Sequence, residues 1–163
     1  DRVIRAMPNT PAQIGQGITG AVGLGISAAD RAVGDALLGA AGEVIWFDNE
    51  SMLDAVTALS GSGPAYVFYV LEAMMEAAAQ RGLGAEAGRQ LAIATFDGAA
   101  ELARRSDQPP EALRAQVTSK GGTTHAAITS LEADGVKAAF VKALFAAQKR
   151  ARELGDEFGR PPA

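Results

Sequence analysis

The sequence contains no cysteine and a single histidine among its 163 residues. The lack of cysteine excludes disulfide bonds and cysteine-ligated metal sites, and it is typical of an intracellular protein. The net charge is −4, so the chain has no basic surplus with which to hold nucleic acid. We therefore expect no metal, no nucleic-acid partner and a cytoplasmic location.

Long uninterrupted apolar runs are also missing, although apolar residues make up 48% of the chain, as in folded globular proteins. The most apolar run, Pro64 to Ala79, is interrupted by Glu72 and Glu76 and is too short to cross a bilayer. We expect a folded protein that does not enter a membrane. Because the chain begins at Asp1 in the middle of a strand-like pattern, we also expect it to be a fragment of a longer protein.

The first fifty residues have the pattern of an α/β protein. Short runs rich in valine, isoleucine and aromatic residues predict three strands, at Val3–Met7, Ile18–Gly23 and Glu43–Phe47. Between the second and third strands, Ser27 and Asp30 have capping-box spacing and predict a helix that ends at Gly42. This strand–helix–strand order is that of the last part of an α/β sheet.

From Ser51 onward the apolar spacing is helical. It predicts helices at Ser51–Leu59, Pro64–Gln80, Ala85–Arg105, Glu111–Thr118, Thr124–Ala133 and Val136–Leu154. Helix 64–80 has only Glu72, Glu76 and Gln80 on its polar line, so most of its surface must be covered. A monomeric bundle core would cover it, but we favour burial against a second copy, since the surplus apolar surface would otherwise be exposed.

Two glycine-rich stretches invite a ligand-binding interpretation. Gly15–Gly20 matches GxGxxG, but it follows a proline-rich loop and runs into a strand, whereas a dinucleotide cradle lies between a strand and a helix. We therefore predict that it binds no cofactor. Ser60–Pro64 also approaches a helix N-terminus, and close packing of two helix ends is the simpler explanation for its glycines.

The stretch VTSKGGTTHAAITSLE, from Val117 to Glu132, predicts a candidate anion site. Gly121 and Gly122 let the backbone turn closely, and the open N–H groups of the following helix favour carboxylate or phosphate. The hydroxyls of Ser119, Thr123 and Thr124 add polar groups. An ordinary helix–helix turn capped by Thr123 or Thr124 explains the same residues, so both interpretations stay open. We expect His125, the only histidine, to have a structural and not a catalytic role, as is usual for a single histidine at a helix start.

Three segments resemble the pyrroline-5-carboxylate reductases. Pro110–Glu132 is similar to that family's signature, Asp54–Phe68 to the entry into its helical domain, and Val3–Pro11 to a strand and loop late in its nucleotide-binding domain. The family's amino-terminal, glycine-rich cofactor loop is absent. The resemblance implies a mainly α fold, in which an all-helical dimerisation domain follows the last strands and helix of a Rossmann-type domain. It implies a dinucleotide-binding remnant at 1–50, a helical dimerisation and substrate-binding domain at 51–158, and a disordered tail at 159–163.

The resemblance also implies roles for individual residues. It assigns the substrate carboxylate to Ser119, Gly121, Gly122 and Thr123, with the Thr124 hydroxyl near the ring nitrogen as the catalytic group. The nicotinamide border would be formed by Met7, Pro8, Asn9 and Thr10, and the cleft wall by Ser60, Gly61, Ser62, Gly63 and Pro64.

The implied activity is reduction of the cyclic imine of 1-pyrroline-5-carboxylate to L-proline by NADPH or NADH, the last step of proline biosynthesis. Family members form interlocked homodimers, often assembled into rings. Because the main cofactor half is missing, we expect this chain alone to be inactive. Two alternatives remain: a non-catalytic helical dimerisation module, and another NAD(P)-dependent reductase with an all-helical dimer domain. The 3-hydroxyacid dehydrogenases typify the latter, but Lys120 lies in a loop and their helical lysine–asparagine pair is missing.

Overall fold

The computed structural model describes residues Arg2–Gly159. These residues divide into two compact units: one runs up to Tyr66 and resumes at Val141, and the other is Val67–Phe140. The expected disordered tail, 159–163, lies outside the described residues except for Gly159, whose N–H donates to the Gly155 carbonyl at 2.8 Å. The domain boundary at residue 50 stays a prediction.

The first unit contains a three-stranded sheet. Its strands are β1 (Val3–Met7), β2 (Gly17–Leu24) and β3 (Gly42–Phe47), in that spatial order. β1 pairs antiparallel to β2, with Met7 opposite Gly20. β2 pairs parallel to β3, and the crossover between them is helix α1 (Ala28–Gly39). The three predicted strands and the helix between the last two are confirmed.

Helix α1 begins with the predicted capping box. The Ser27 Oγ accepts from the Asp30 N–H at 3.2 Å, and the Asp30 carboxylate accepts from the Ser27 N–H at 2.8 Å. The predicted end at Gly42 is wrong, because α1 ends at Gly39. Gly42 lies in β3 instead, where its φ of 141° and the close approach of the Gly17 carbonyl both require glycine.

β2 forms the core of the sheet and has a helix on each face. Ala21 and Val22 are fully buried. On one face, Gly34 of α1 lies against Trp46 of β3. On the opposite face, Gly20 of β2 lies under Val56 of the second helix. Both faces are covered because successive strand residues point to opposite sides of the sheet. At Gly20 a Cβ atom would come within 2.7 Å of the Val56 side chain, so β2 and the helix above it are in close contact.

That second helix continues with almost no interruption into the next. Helix α2 (Met52–Val56) runs into a π-turn (Thr57–Gly61), and helix α3 (Gly63–Gln80) begins after Ser62 alone. The predicted non-helical break at 60–63 is therefore wrong. An extra residue is absorbed by the wider π-turn, which keeps the glycine-rich stretch helical.

The second unit is entirely helical in the part that the structure describes. It contains most of α3, then α4 (Ala85–Arg105), α5 (Pro110–Gln116), α6 (Thr123–Ala133) and the first residues of α7 (Val136–Phe158). α3 and α4 approach closely where Gly88 meets Ala78. Large apolar side chains nevertheless stay exposed, among them Phe68, Tyr69, Leu91 and Leu102. No helix within 2–159 is long and apolar enough to span a membrane. The mainly α fold class is confirmed.

Candidate functional site

The predicted anion site is a tight turn between α5 and α6. Its ends are Ser119 and Gly122, and the Gly122 N–H donates to the Ser119 carbonyl at 3.0 Å. Gly121, the third residue of the turn, has a φ of 77°, a value that favours glycine. The turn is braced by an ion pair between Arg114 of α5 and Glu132 of α6, whose side-chain atoms are 3.4 Å apart.

The first turn of α6 presents open backbone donors. Its N-cap is Gly122, and no side chain caps it, so the predicted threonine cap is wrong. The reason is local: Gly122 takes the extended cap conformation, which places Thr123 and Thr124 inside the helix. Within the described residues, the N–H groups of Thr123, Thr124 and His125 have no hydrogen-bond partner. Such groups, with the positive end of the helix dipole, attract an anion.

The hydroxyls around this turn are close to those donors. Ser119 Oγ lies so near Gly122 that a Cβ atom there would come within 2.8 Å of it, so a side chain at position 122 would displace this hydroxyl. Thr124 is half-buried, while Ser119, Gly121 and Thr123 are exposed to an approaching ligand. The residues predicted to bind the carboxylate therefore form one continuous segment, the Ser119–Gly122 turn with the first two residues of α6, which we call the 119–124 turn. Its open backbone donors suit a carboxylate group.

The predicted nicotinamide border lies at the end of β1. Met7 is the last residue of the strand and Pro8 follows it in a short exposed link. Asn9 precedes a 3-10 helix that begins at Thr10, and its side-chain oxygen accepts from the Ile18 N–H at 2.9 Å. This hydrogen bond attaches the loop to β2. The sequence indicates only that an asparagine before a turn often accepts from a nearby backbone N–H, and not that Asn9 reaches Ile18.

The predicted cleft wall, Ser60–Pro64, is formed by the π-turn and the start of α3. A Cβ atom at Gly61 would lie 3.5 Å from the Met7 sulfur, so the wall and the nicotinamide border contact each other within the first unit. Ser60 Oγ is buried and has no hydrogen-bond partner among the described residues. The carboxylate turn, 119–124, belongs to the other unit.

Two side chains that the sequence interpretation overlooked hold the π-turn in place. The Tyr66 hydroxyl donates to the Ala58 carbonyl at 3.1 Å, and the Thr57 hydroxyl donates to the Leu53 carbonyl at 2.7 Å. The Ser62 N–H bonds to Thr57, five residues earlier, and so does not reach Ala58 in the normal helical way. Tyr66 supplies the donor instead. The sequence feature that could have indicated this role is a tyrosine hydroxyl in the first turn of an otherwise apolar helix.

The described residues fit only one end of a dinucleotide. The Gly61 contact with Met7 and the buried Ser60 hydroxyl are compatible with a ring bound beside the β1 end. The GxGxxG stretch, in contrast, leaves the 3-10 helix through Gly15 and enters β2 at Gly17, so it lacks the strand-to-helix turn that forms a pyrophosphate cradle. Between residues 2 and 159, no group of three or more His, Asp or Glu side chains could hold a metal ion.

Comparison with known proteins shows the family of the chain. The sequence profile described as pyrroline-5-carboxylate reductase dimerisation matches residues 50–154, which include both the π-turn and the 119–124 turn. The chain belongs to the pyrroline-5-carboxylate reductase family. The reductase of Pseudomonas aeruginosa is 45% identical over 159 residues, or 97% of this chain and 58% of that protein. The Arabidopsis thaliana reductase is 43% identical, over 94% of this chain and 56% of that protein.

Solved reductase structures have the same fold. The pyrroline-5-carboxylate reductase of Coxiella burnetii superposes with a TM-score of 0.90 at 42% identity, over 94% of this chain and 57% of that one. The Plasmodium falciparum enzyme, solved with NADP bound, also gives a TM-score of 0.90, at 29% identity over 95% of this chain and 61% of that one. The chain thus spans a little over half the length of the reductases that it matches.

Proposed function

We propose that this chain is the dimerisation and substrate-binding part of a pyrroline-5-carboxylate reductase, whose main cofactor-binding half lies outside it. The observation that carries the proposal is the 119–124 turn, with open backbone donors inside the segment that matches the family. The reaction is reduction of the C=N bond of 1-pyrroline-5-carboxylate to L-proline. The chain alone lacks a pyrophosphate cradle in its described residues, so it is inactive by itself.

The turn binds and orients the substrate. The carboxylate accepts from the Ser119 hydroxyl and from the backbone N–H groups of Gly121 and Thr123, so no cationic side chain is needed. Gly122 lines the same site, while its own N–H stays bonded to the Ser119 carbonyl. With the carboxylate fixed, the Thr124 hydroxyl lies near the ring nitrogen and donates to the developing amine. The cyclic imine is basic enough to be protonated by solvent, so no strong acid–base pair is needed. Orientation therefore accounts for most of the rate enhancement.

The second ligand is NADPH or NADH, which supplies the hydride when bound. Met7, Pro8, Asn9 and Thr10 border its nicotinamide, and the π-turn segment Ser60–Pro64 forms the wall beside them. The contact between Gly61 and Met7 supports this arrangement, because it joins the two segments into one surface. Residues outside this chain determine whether NADPH or NADH is preferred.

The protein acts as a homodimer in the cytoplasm, and its dimers assemble into a larger ring. The exposed Phe68, Tyr69, Leu91 and Leu102 on α3 and α4 support the dimer, because a second copy would remove them from water. The description of the matched family profile as a dimerisation region supports the same conclusion.

Oxidation of NADPH and NADH by the full-length protein, with and without 1-pyrroline-5-carboxylate, tests the proposal. Substrate-dependent oxidation supports it. A folded dimer that oxidises neither cofactor would favour the non-catalytic dimerisation module. Oxidation that depends on a linear 3-oxoacid, which accepts the hydride at its ketone, and not on the cyclic imine, would favour the other reductase class.

A further inference from the structure

The sequence contains two asparagines, and in both the side-chain oxygen accepts a backbone hydrogen bond. Asn9 accepts from the Ile18 N–H at 2.9 Å, across nine residues and in a part-buried setting. Asn49 accepts from the Ser51 N–H, also at 2.9 Å, in an exposed local turn. A carboxamide whose oxygen is held in this way directs its NH₂ group to the opposite side. Each asparagine therefore presents two donors in a fixed direction.

We propose that Asn9 acts as a directed donor: its side-chain oxygen fastens the 7–10 loop to Ile18, and its Nδ2 donates to an uncharged acceptor oxygen at the nicotinamide end of the bound dinucleotide. This inference rests on the proposed function and names the atom that meets the ligand. Asn9 Nδ2 has no hydrogen-bond partner among the described residues, so its donors are available.

The chemistry of the loop indicates an uncharged ligand group. Residues 7–10 carry no charge, and Pro8 has no backbone N–H to offer. A phosphate is usually bound by arginine, by lysine or by several converging N–H groups. None of the side chains at 7–10 is an arginine or a lysine. An amide NH₂ suits a carboxamide or hydroxyl oxygen instead. The contact of Met7 with Gly61 places the cleft wall beside the same loop.

Two substitutions separate the two ends of the Asn9 side chain. Asn9→Asp keeps the shape and an acceptor for the Ile18 N–H but removes the donors. Asn9→Ala removes both ends. Asn49→Asp and Asn49→Ala are matched controls, since Asn49 makes the same type of hydrogen bond away from the proposed site.

The measurements are the dissociation constant for NADPH and the urea midpoint of unfolding, both on the full-length protein. We expect Asn9→Asp to unfold at nearly the wild-type midpoint but to bind NADPH about tenfold more weakly, the effect of one lost hydrogen bond. Asn9→Ala should lose both stability and affinity, and the Asn49 variants should bind NADPH normally. Because a new carboxylate could also repel phosphates, the affinity loss should persist at high salt, which screens repulsion.

Three results would overturn the inference. Wild-type affinity in Asn9→Asp would show that Asn9 only fastens the loop, and an affinity loss that disappears at high salt would show repulsion instead of a lost donor. Equal destabilisation by Asn9→Asp and Asn9→Ala would show that the oxygen is not the fastening atom. If the wild-type protein itself binds neither NADPH nor NADH, the proposed function fails first, and that result is distinguishable from the other three.

Discussion

The backbone N–H of Ser62 donates to the carbonyl of Thr57, five residues earlier, at 2.8 Å. This single wide turn lets α2 pass almost directly into α3, and it brings Gly61 against Met7 at the end of β1. π-turns inside helices occur often at functional sites, because the extra residue displaces a short piece of backbone toward a ligand or neighbour. Here the displaced piece is the wall of the proposed nicotinamide site.

Removing the Ser60 hydroxyl should not destabilise the fold. Its oxygen is buried without a partner in the described part of the chain, and an unpaired buried polar group costs about 1–3 kcal/mol. We expect Ser60→Ala to leave the free energy of unfolding unchanged or to raise it, as measured by urea denaturation. Thr57→Val is the comparison, because that hydroxyl is bonded to Leu53 and its loss should cost about 1 kcal/mol. An equal loss in both variants would contradict this prediction.

Removing the Thr124 hydroxyl should slow the reaction and spare the fold. We expect Thr124→Ala to lower kcat by roughly tenfold to a hundredfold, the scale of one lost hydrogen bond in an active site. Steady-state kinetics with 1-pyrroline-5-carboxylate measure the effect. Thr129→Ala is the control on the same helix, because the Thr129 hydroxyl is bonded to the His125 carbonyl. A wild-type kcat in Thr124→Ala would contradict the catalytic role proposed for the Thr124 hydroxyl.

Stability in acid should depend on Asp30. The backbone N–H and hydroxyl of Ser27, together with Arg2, hold the pKa of Asp30 below its usual 3.8. Since the folded pKa lies below the unfolded one, the ionised carboxylate stabilises the fold fully above the unfolded pKa, and the effect is lost as the pH falls through the folded pKa. We expect Asp30→Asn to be destabilising at neutral pH and to approach the wild type in acid, as measured by urea denaturation at several pH values. If the difference in the free energy of unfolding between Asp30→Asn and the wild type stayed constant down to the lowest pH, it would not come from the ionised Asp30 carboxylate.

The sequence predicted those features that depend on neighbouring residues. Valine and isoleucine runs located the strands, and the Ser27–Asp30 capping box located α1, because each signal acts within a few residues. The π-turn was missed because one extra residue barely disturbs the apolar spacing of a long helix. The Asn9–Ile18 hydrogen bond was not predicted because it depends on how β2 pairs with β1. The cap of α6 was misassigned because glycine and threonine can both occupy that position, and Gly122 does.

The central proposal is that the 119–124 turn holds the substrate carboxylate, and two glycines provide its most direct test. Gly121 and Gly135 have φ values of 77° and 66°, and neither has an atom near the position that a Cβ would take. An alanine at either position should therefore cost a similar 1–2 kcal/mol, roughly, of backbone strain. The measurement is KM for 1-pyrroline-5-carboxylate in the full-length protein. We predict that Gly121→Ala raises KM about tenfold or more and that Gly135→Ala leaves it unchanged, because only Gly121 shapes the anion turn. An unchanged KM in Gly121→Ala, or an equal rise in both variants, would contradict the proposal.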